Sequence, residues 1–169
     1  MNALVTYDSR YGNTKKIAVA IGDGLSSALG ASGSVQVINV ADARPDQLAG
    51  WELLLVGGPT HGTRPSPPMH EFLTRLPQNA LAGVKVAAFD TRVDPHKQEG
   101  ALRVFAKILD RFGYAAAKIA SALVNKGGQV VKAPEGFIVL GMEGPLEDGE
   151  LQRATEWGGQ VVASLNRKP

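Results

Sequence analysis

Tyr7-Asp8-Ser9-Arg10-Tyr11-Gly12-Asn13-Thr14 is the stretch that decides how this chain folds. An apolar run at 3–6 precedes it, and a helix-like run at 14–29 follows. A strand feeding a glycine- and hydroxyl-bearing turn and then a helix is a geometry for holding an anion. The free N–H groups of the helix N-terminus point at the anion, and the helix dipole favours negative charge there. Ser9, Thr14 and Tyr11 add hydroxyl donors, and Gly12 lets the backbone approach closely without a Cβ. The octet is neither G-x-x-x-x-G-K-[ST] nor G-x-G-x-x-G, so it points to a mononucleotide phosphate held without Mg²⁺. The other reading is an ordinary turn between strand and helix.

Outward from this loop, apolar strands alternate with amphipathic helical runs, the pattern of a parallel α/β sheet. Strands are expected at 3–7, 35–40, 53–56 and 84–89. The second alternates with polar Gln36 and Asn39, which suits an edge; the third is continuously apolar, which suits the centre. Helix 14–29 carries Ile17, Ile21, Leu25 and Ala28 on one face and ends at Gly30. A short helix or turn is expected at 42–49, and Met69, Phe72, Leu73 and Leu76 mark another short helix. A stripe at 101–112 (Leu102, Phe105, Ile108, Leu109, Phe112) reads either as a core-facing helix or as a lid. A helix at 114–125 ends at Gly127-Gly128. Segments 129–131 and 137–140 read as two pieces of a fifth strand with a turn at 133–136. The final helix, 150–165, directs Leu151, Ala154, Trp157, Val161 and Leu165 inward. The pattern predicts a single domain over 1–169: a doubly wound, five-stranded parallel sheet in the order 2-1-3-4-5. In such sheets ligands sit at the carboxyl ends of the strands, at the switch between strands 1 and 3, where Asp8 to Asn13 lie.

Composition narrows the chemistry. The chain has 169 residues and no cysteine, which excludes disulfides, thiolate metal sites and cysteine nucleophiles. The absence of cysteine suits a reducing cytosol, and no apolar run reaches the ~18 residues of a membrane span. No signal peptide is visible at the N-terminus. Net charge is +2 with dispersed lysines and arginines, so no nucleic-acid patch is expected. His61, His70 and His96 lack metal-ligand spacing, and no acid–base or nucleophilic set appears, so neither a metal nor a catalytic residue is assigned.

Ser9-Arg10-Tyr11-Gly12-Asn13-Thr14 resembles the FMN-phosphate loop of the flavodoxin family, S/T-x-T-G-x-T, with Tyr11 where many members have Thr. In this variant it is similar to the flavodoxin domains of flavodiiron proteins and of the quinone-reductase branch. The resemblance extends along nearly the whole chain. Pro59-Thr60 and the following glycine resemble the second flavin loop, G-x-P-T, and the closing segment Glu143-Gly144-Pro145-Leu146 with Glu156-Trp157 also fits. It implies FMN as cofactor, a flavodoxin-like fold and the cytoplasm. The FMN-binding set it implies is Ser9, Arg10, Tyr11, Gly12, Asn13 and Thr14, then Pro59, Thr60, His61 and Gly62, then Asp90, Thr91 and Arg92.

Within that set, Thr60 is expected to donate to a flavin oxygen and Gly62 to offer a backbone group near N5. A proline-rich surface crossover is the alternative for 57–68. Arg92 reads either as a contact to the pyrimidine end or as half of a structural ion pair, Asp90 as a turn cap, and His96 as a solvated loop residue. The chain departs from the family in two ways. Many flavodoxins sandwich the ring between a Trp and a Tyr, whereas here His61 stands in the second loop and no aromatic residue lies between Asp90 and Leu102. That costs part of the ~0.5–1.5 kcal/mol of each stack unless a second subunit or the 101–112 segment supplies one. The family's free carriers are usually acidic, and this chain has a pI near 9.0.

The expected function is electron transfer through FMN to a redox partner protein or small-molecule acceptor, with oligomeric state open. The alternatives are an NAD(P)H:quinone-type oxidoreductase and a flavodoxin-like binding module that has lost tight FMN binding.

Overall fold

Why the chain forms two layers of helices around one sheet is visible in the strand burial. In the computed structural model, which describes residues 1–43, 50–94 and 114–165, consecutive strand residues are buried on both faces. β1 (Asn2–Tyr7), β3 (Leu53–His61) and β5 (Lys85–Val93) each carry a continuous buried apolar stretch, Ala3–Val5, Leu53–Val56 and Val86–Phe89, so each must be covered on both sides. α1 (Asn13–Leu29) and α4 (Glu150–Leu165) cover one face, with Ile17, Ile21, Leu25, Trp157 and Val161 packed on Ala3, Val5, Leu53, Leu55 and Phe89. α2 (Pro67–Arg75) and α3 (Ala115–Asn125) cover the other, with Met69, Phe72, Ile119 and Leu123 packed on Leu4, Leu54, Val56 and Val86.

β2 (Ser34–Asn39) is the edge strand, as its polar alternation predicts, and the sheet runs β2–β1–β3–β5 and then the last position, with every one of these pairs parallel. The last position is shared by two short strands. β6 (Gln129–Val130) pairs with Lys85 and Val86 at one end of β5, and β7 (Glu135–Val139) pairs with Phe89 to Val93 at the other. The split fifth strand and the order 2-1-3-4-5 therefore match the sequence pattern. Phe89, Phe137 and Trp157 form an edge-to-face trio with centroids 6.2–6.4 Å apart, closing the core beneath the fifth position. α1 and α4 touch so closely that a Cβ on Gly24 would collide with the Thr155 carbonyl.

Four details differ from the sequence reading. β3 runs to His61 rather than stopping at Val56, then turns through Gly62-Thr63 into β4 (Arg64–Pro65), which pairs antiparallel with Thr60 and His61. The prolines thus stiffen a hairpin and the first turn of α2 rather than an irregular crossover. β5 likewise extends through Asp90, Thr91 and Arg92 to Val93. Ala28 is exposed at the end of α1. Leu151 faces solvent and Glu150 is buried in its stead, because the Glu150 carboxylate accepts the Ile138 amide at 2.7 Å and Arg153 Nη2 at 2.7 Å. His96 and the 101–112 segment lie outside the described residues, as does most of 42–49.

Candidate functional site

The loop after β1 is shaped by one left-handed residue. Gly12 takes φ +86° immediately before α1, with open space where a Cβ would stand, and its carbonyl accepts the Lys16 amide at 3.1 Å. A β-carbon at that φ would be strained, so glycine sets the approach of the loop to the helix N-terminus. No side chain caps α1, which leaves its first amides open for an anion.

This loop forms one end of a cavity of about 330 Å³ at the carboxyl ends of β1, β3 and β5. Eleven of the thirteen sequence-predicted residues line it: Ser9, Arg10, Tyr11, Asn13, Thr14, Pro59, Thr60, His61, Gly62, Thr91 and Arg92. Gly12 supports the loop from the helix cap, and Asp90 lies fully buried beneath the cavity.

The hydroxyls at the loop end have different states. Ser9 Oγ is buried and has no hydrogen-bond partner among the described residues. Three other buried side-chain polar atoms among the described residues share that condition, on Thr6, Ser66 and Trp157, and none of those residues lines the cavity. A buried hydroxyl without a partner is costly, and one facing a cavity fits a ligand oxygen. Thr14 Oγ1 and Thr91 Oγ1 are 2.8 Å apart and buried. In such a pair one hydroxyl donates to the other, which keeps its own proton for a further acceptor. Asn13 Nδ2 donates to the Glu143 carbonyl at 2.9 Å, tying the loop to the segment after β7. Gly144 makes that tie possible: its φ is +107°, and a Cβ there would lie 2.6 Å from Asn13 Nδ2.

The far end is built from groups that satisfy one another. Arg92 Nε pairs with Asp90 Oδ1 at 2.6 Å, and its guanidinium sits 3.7 Å from the centroid of Tyr114. Asp90 Oδ2 accepts the Ala116 amide at 2.8 Å, and Thr60 Oγ1 accepts the Ala115 amide at 3.2 Å. The ends of β3 and β5 thereby cap the N-terminus of α3, a placement the helix dipole favours for a carboxylate. Burial pushes the Asp90 carboxyl above its ordinary value; the Arg92 charge and the hydrogen bonds from Arg92, Ala116 and Thr60 oppose that rise. Arg92 makes the ion pair and also lines the cavity. Asp90 caps a helix rather than a turn, and the Thr60 hydroxyl faces inward to Ala115.

Three lining residues carried no sequence signal of their own: Val93, Val139 and Met142. Val93 enters because β5 runs past Phe89, and Val139 because the carboxyl end of β7, within the run read as a strand at 137–140, borders the cavity. Met142, 86% exposed, was legible only as a large apolar residue flanked by Gly141 and Glu143-Gly144 in a loop. Tyr11, 44% exposed, and His61 are the aromatic side chains that line the cavity among the described residues. No group of His, Asp or Glu among the described residues is arranged to hold a metal ion, and no helix among them is long and apolar enough to cross a membrane.

No curated protein matches the chain. Solved structures do. A flavodoxin from the domain Archaea is 25% identical, with a TM-score of 0.71 over 99% of this chain and 100% of its own. Oxidised flavodoxin 1 from Bacillus cereus, at 17% identity and a TM-score of 0.71 over 96% of this chain and 98% of its own, shares the fold. So does rubredoxin oxygen:oxidoreductase from Desulfovibrio gigas, at 16% identity and a TM-score of 0.67, where 98% of this chain matches 37% of that one. The family model for the flavodoxin domain matches residues 4–131, the span that holds the open loop and both strand ends around the cavity, and the chain belongs to the flavodoxin family.

Proposed function

We propose that the chain binds FMN in this cavity, phosphate on the 9–14 loop, and passes electrons through it to a redox partner protein or a small-molecule acceptor. The observation that carries the reading is the buried Ser9 hydroxyl, which has no partner among the described residues and belongs to a residue that lines the cavity. A phosphate oxygen would satisfy it with a charge-assisted hydrogen bond. The uncapped amides of α1 and the spare proton of the Thr14–Thr91 pair would complete the anion's shell. Bound flavin supplies reversible one- and two-electron chemistry that no side chain here provides. The chain's own contribution is to orient and shield it. The β3–β4 hairpin holds Pro59, His61 and Gly62 as a stiff wall, and the Asp90–Arg92 pair keeps the ends of β3, β5 and α3 in register.

The test is a titration with FMN and, in parallel, with riboflavin, which lacks the phosphate. The expected result is quenching of flavin fluorescence, retention of absorbance near about 450 nm after desalting, and tighter binding of FMN than of riboflavin. A protein that stays colourless and quenches neither flavin sinks the proposal.

A further inference from the structure

A second groove, outside the cavity, runs between α2 and α3 with a volume of about 780 Å³. Its floor includes Leu73 and Ala122, and its polar lining includes Arg64, His70, Lys118 and Lys126. No carboxylate lines it among the described residues. Lys118 Nζ donates to the Thr63 carbonyl and hydroxyl, and Lys126 Nζ to the Leu76 carbonyl at 2.6 Å. Both ammonium groups are thus held in place by neutral oxygens, which orient them, and neither pairs with a carboxylate among the described residues. Arg64 is exposed and has no side-chain partner among the described residues. Glu71 of α2 pairs with Arg75 at 3.6 Å and does not line the groove, while Glu147, Asp148, Glu150 and Glu156 precede or lie in α4, on the opposite face of the sheet.

The groove is joined to the cavity by one element. The β3–β4 hairpin presents His61 and Gly62 to the cavity and Arg64 to the groove, and Lys118 holds the turn between them through Thr63. From the apolar floor, the fixed cations without a carboxylate partner among the described residues and this shared hairpin, we propose that the α2–α3 groove docks the acidic surface of a redox partner protein. The proposal rests on the FMN reading and names the partner's chemistry. A partner seated there lies against the outer side of the wall that encloses the flavin. Complementary charge of this kind acts mainly on the encounter rate, which electrostatic steering raises ~10–1000-fold at low ionic strength.

The experiment uses the FMN-loaded, chemically reduced protein and two one-electron acceptors: cytochrome b5, with an acidic haem edge, and cytochrome c, with a basic one. In each reaction the flavoprotein loses one electron and ferric haem becomes ferrous. The expected result is faster reduction of cytochrome b5 that slows with added salt. Arg64→Glu combined with Lys126→Glu should slow it about 10-fold or more at low salt. The same charge change at Lys85→Glu with Lys132→Glu, outside the groove and the cavity, should have a much smaller effect. FMN affinity, measured first on each variant, reports that the site remains intact. Equal slowing by both double variants, or no slowing by the first, overturns the docking proposal alone. A wild-type protein that takes up no FMN overturns the reading beneath it, before any acceptor is added.

Discussion

The two ends of the cavity treat their polar groups in opposite ways. At the far end, Asp90, Arg92, Thr60 and the first amides of α3 are engaged with one another, and Tyr114 lies against the guanidinium. At the loop end, Ser9 Oγ is buried with no partner among the described residues, and Gly12 leaves open space before an uncapped helix. Polar groups that close on themselves hold a scaffold; polar groups left open hold a ligand. Residues of the same chemical type, a few ångströms from one cavity, are thereby assigned different work. Substitutions at the two ends should separate stability from binding.

The largest effect is expected at the closed end. Asp90→Ala leaves the Arg92 guanidinium without its carboxylate and the Ala116 amide without its cap, and should cost about 3–5 kcal/mol of unfolding free energy. Chemical denaturation measures it; a loss below about 1 kcal/mol would show that the pair is not a structural unit. Asp90→Asn isolates the charge. Because the folded carboxyl titrates above the ordinary 3.8, the folded state holds this proton more tightly than the unfolded one. The stability of the wild type relative to Asp90→Asn should therefore be greatest below about pH 3.8 and decline as pH rises through the folded value.

Ser9→Ala is the matching test of the open end. It removes a hydroxyl that bonds nothing in the protein alone, so stability should stay within about 0.5 kcal/mol. FMN affinity should fall by about 1.5–3 kcal/mol, roughly 10- to 150-fold, the range for a hydrogen bond to a charged group. Riboflavin affinity should not change. A stability loss with unchanged FMN affinity would reverse the assignment of the two ends.

Thr91→Val falls between them. It deletes one member of the buried Thr14–Thr91 pair and leaves the other hydroxyl unpaired, which should cost about 1–2 kcal/mol in stability. If the pair also serves the phosphate, FMN binding weakens by a smaller factor than in Ser9→Ala; an FMN loss exceeding that of Ser9→Ala would move the principal phosphate hydroxyl to this pair.

The same division explains what the sequence disclosed. Sheet order and the loop end were legible because they depend on local pattern: continuous apolar runs demand a central strand, and a glycine before an amphipathic helix demands an open N-terminus. Glu150–Leu165 was readable to the residue as a helix for that reason. The closed end was not legible, because its logic is long-range. Nothing local to Asp90 states that Ala116 will present an amide to it, or that Tyr114 will lie against Arg92. Nor does an isolated run at 53–56 reveal that the strand continues through two glycines and a proline to His61; its pairing with β5 and β4 carries it there. Met142 came into view only when the tie from Asn13 to Glu143 brought its loop to the cavity.

Met142 gives the smallest and most selective test, because it asks what replaces the missing aromatic pair. Its side chain is 86% exposed, so it contributes little to the fold, and Met142→Ala should leave stability within about 0.5 kcal/mol. Yet it lines the cavity beside Val139 and across from the β3–β4 hairpin, and a thioether against a flat ring is worth about 0.3–1.5 kcal/mol. If this loop covers the ring, Met142→Ala should weaken FMN and riboflavin by one common factor, about 2- to 10-fold. That signature is the reverse of Ser9→Ala, which distinguishes the two flavins. Equal affinities for wild type and Met142→Ala with both ligands would leave Tyr11 and His61 as the ring's aromatic neighbours among the described residues, and would place the weight of binding on the phosphate end.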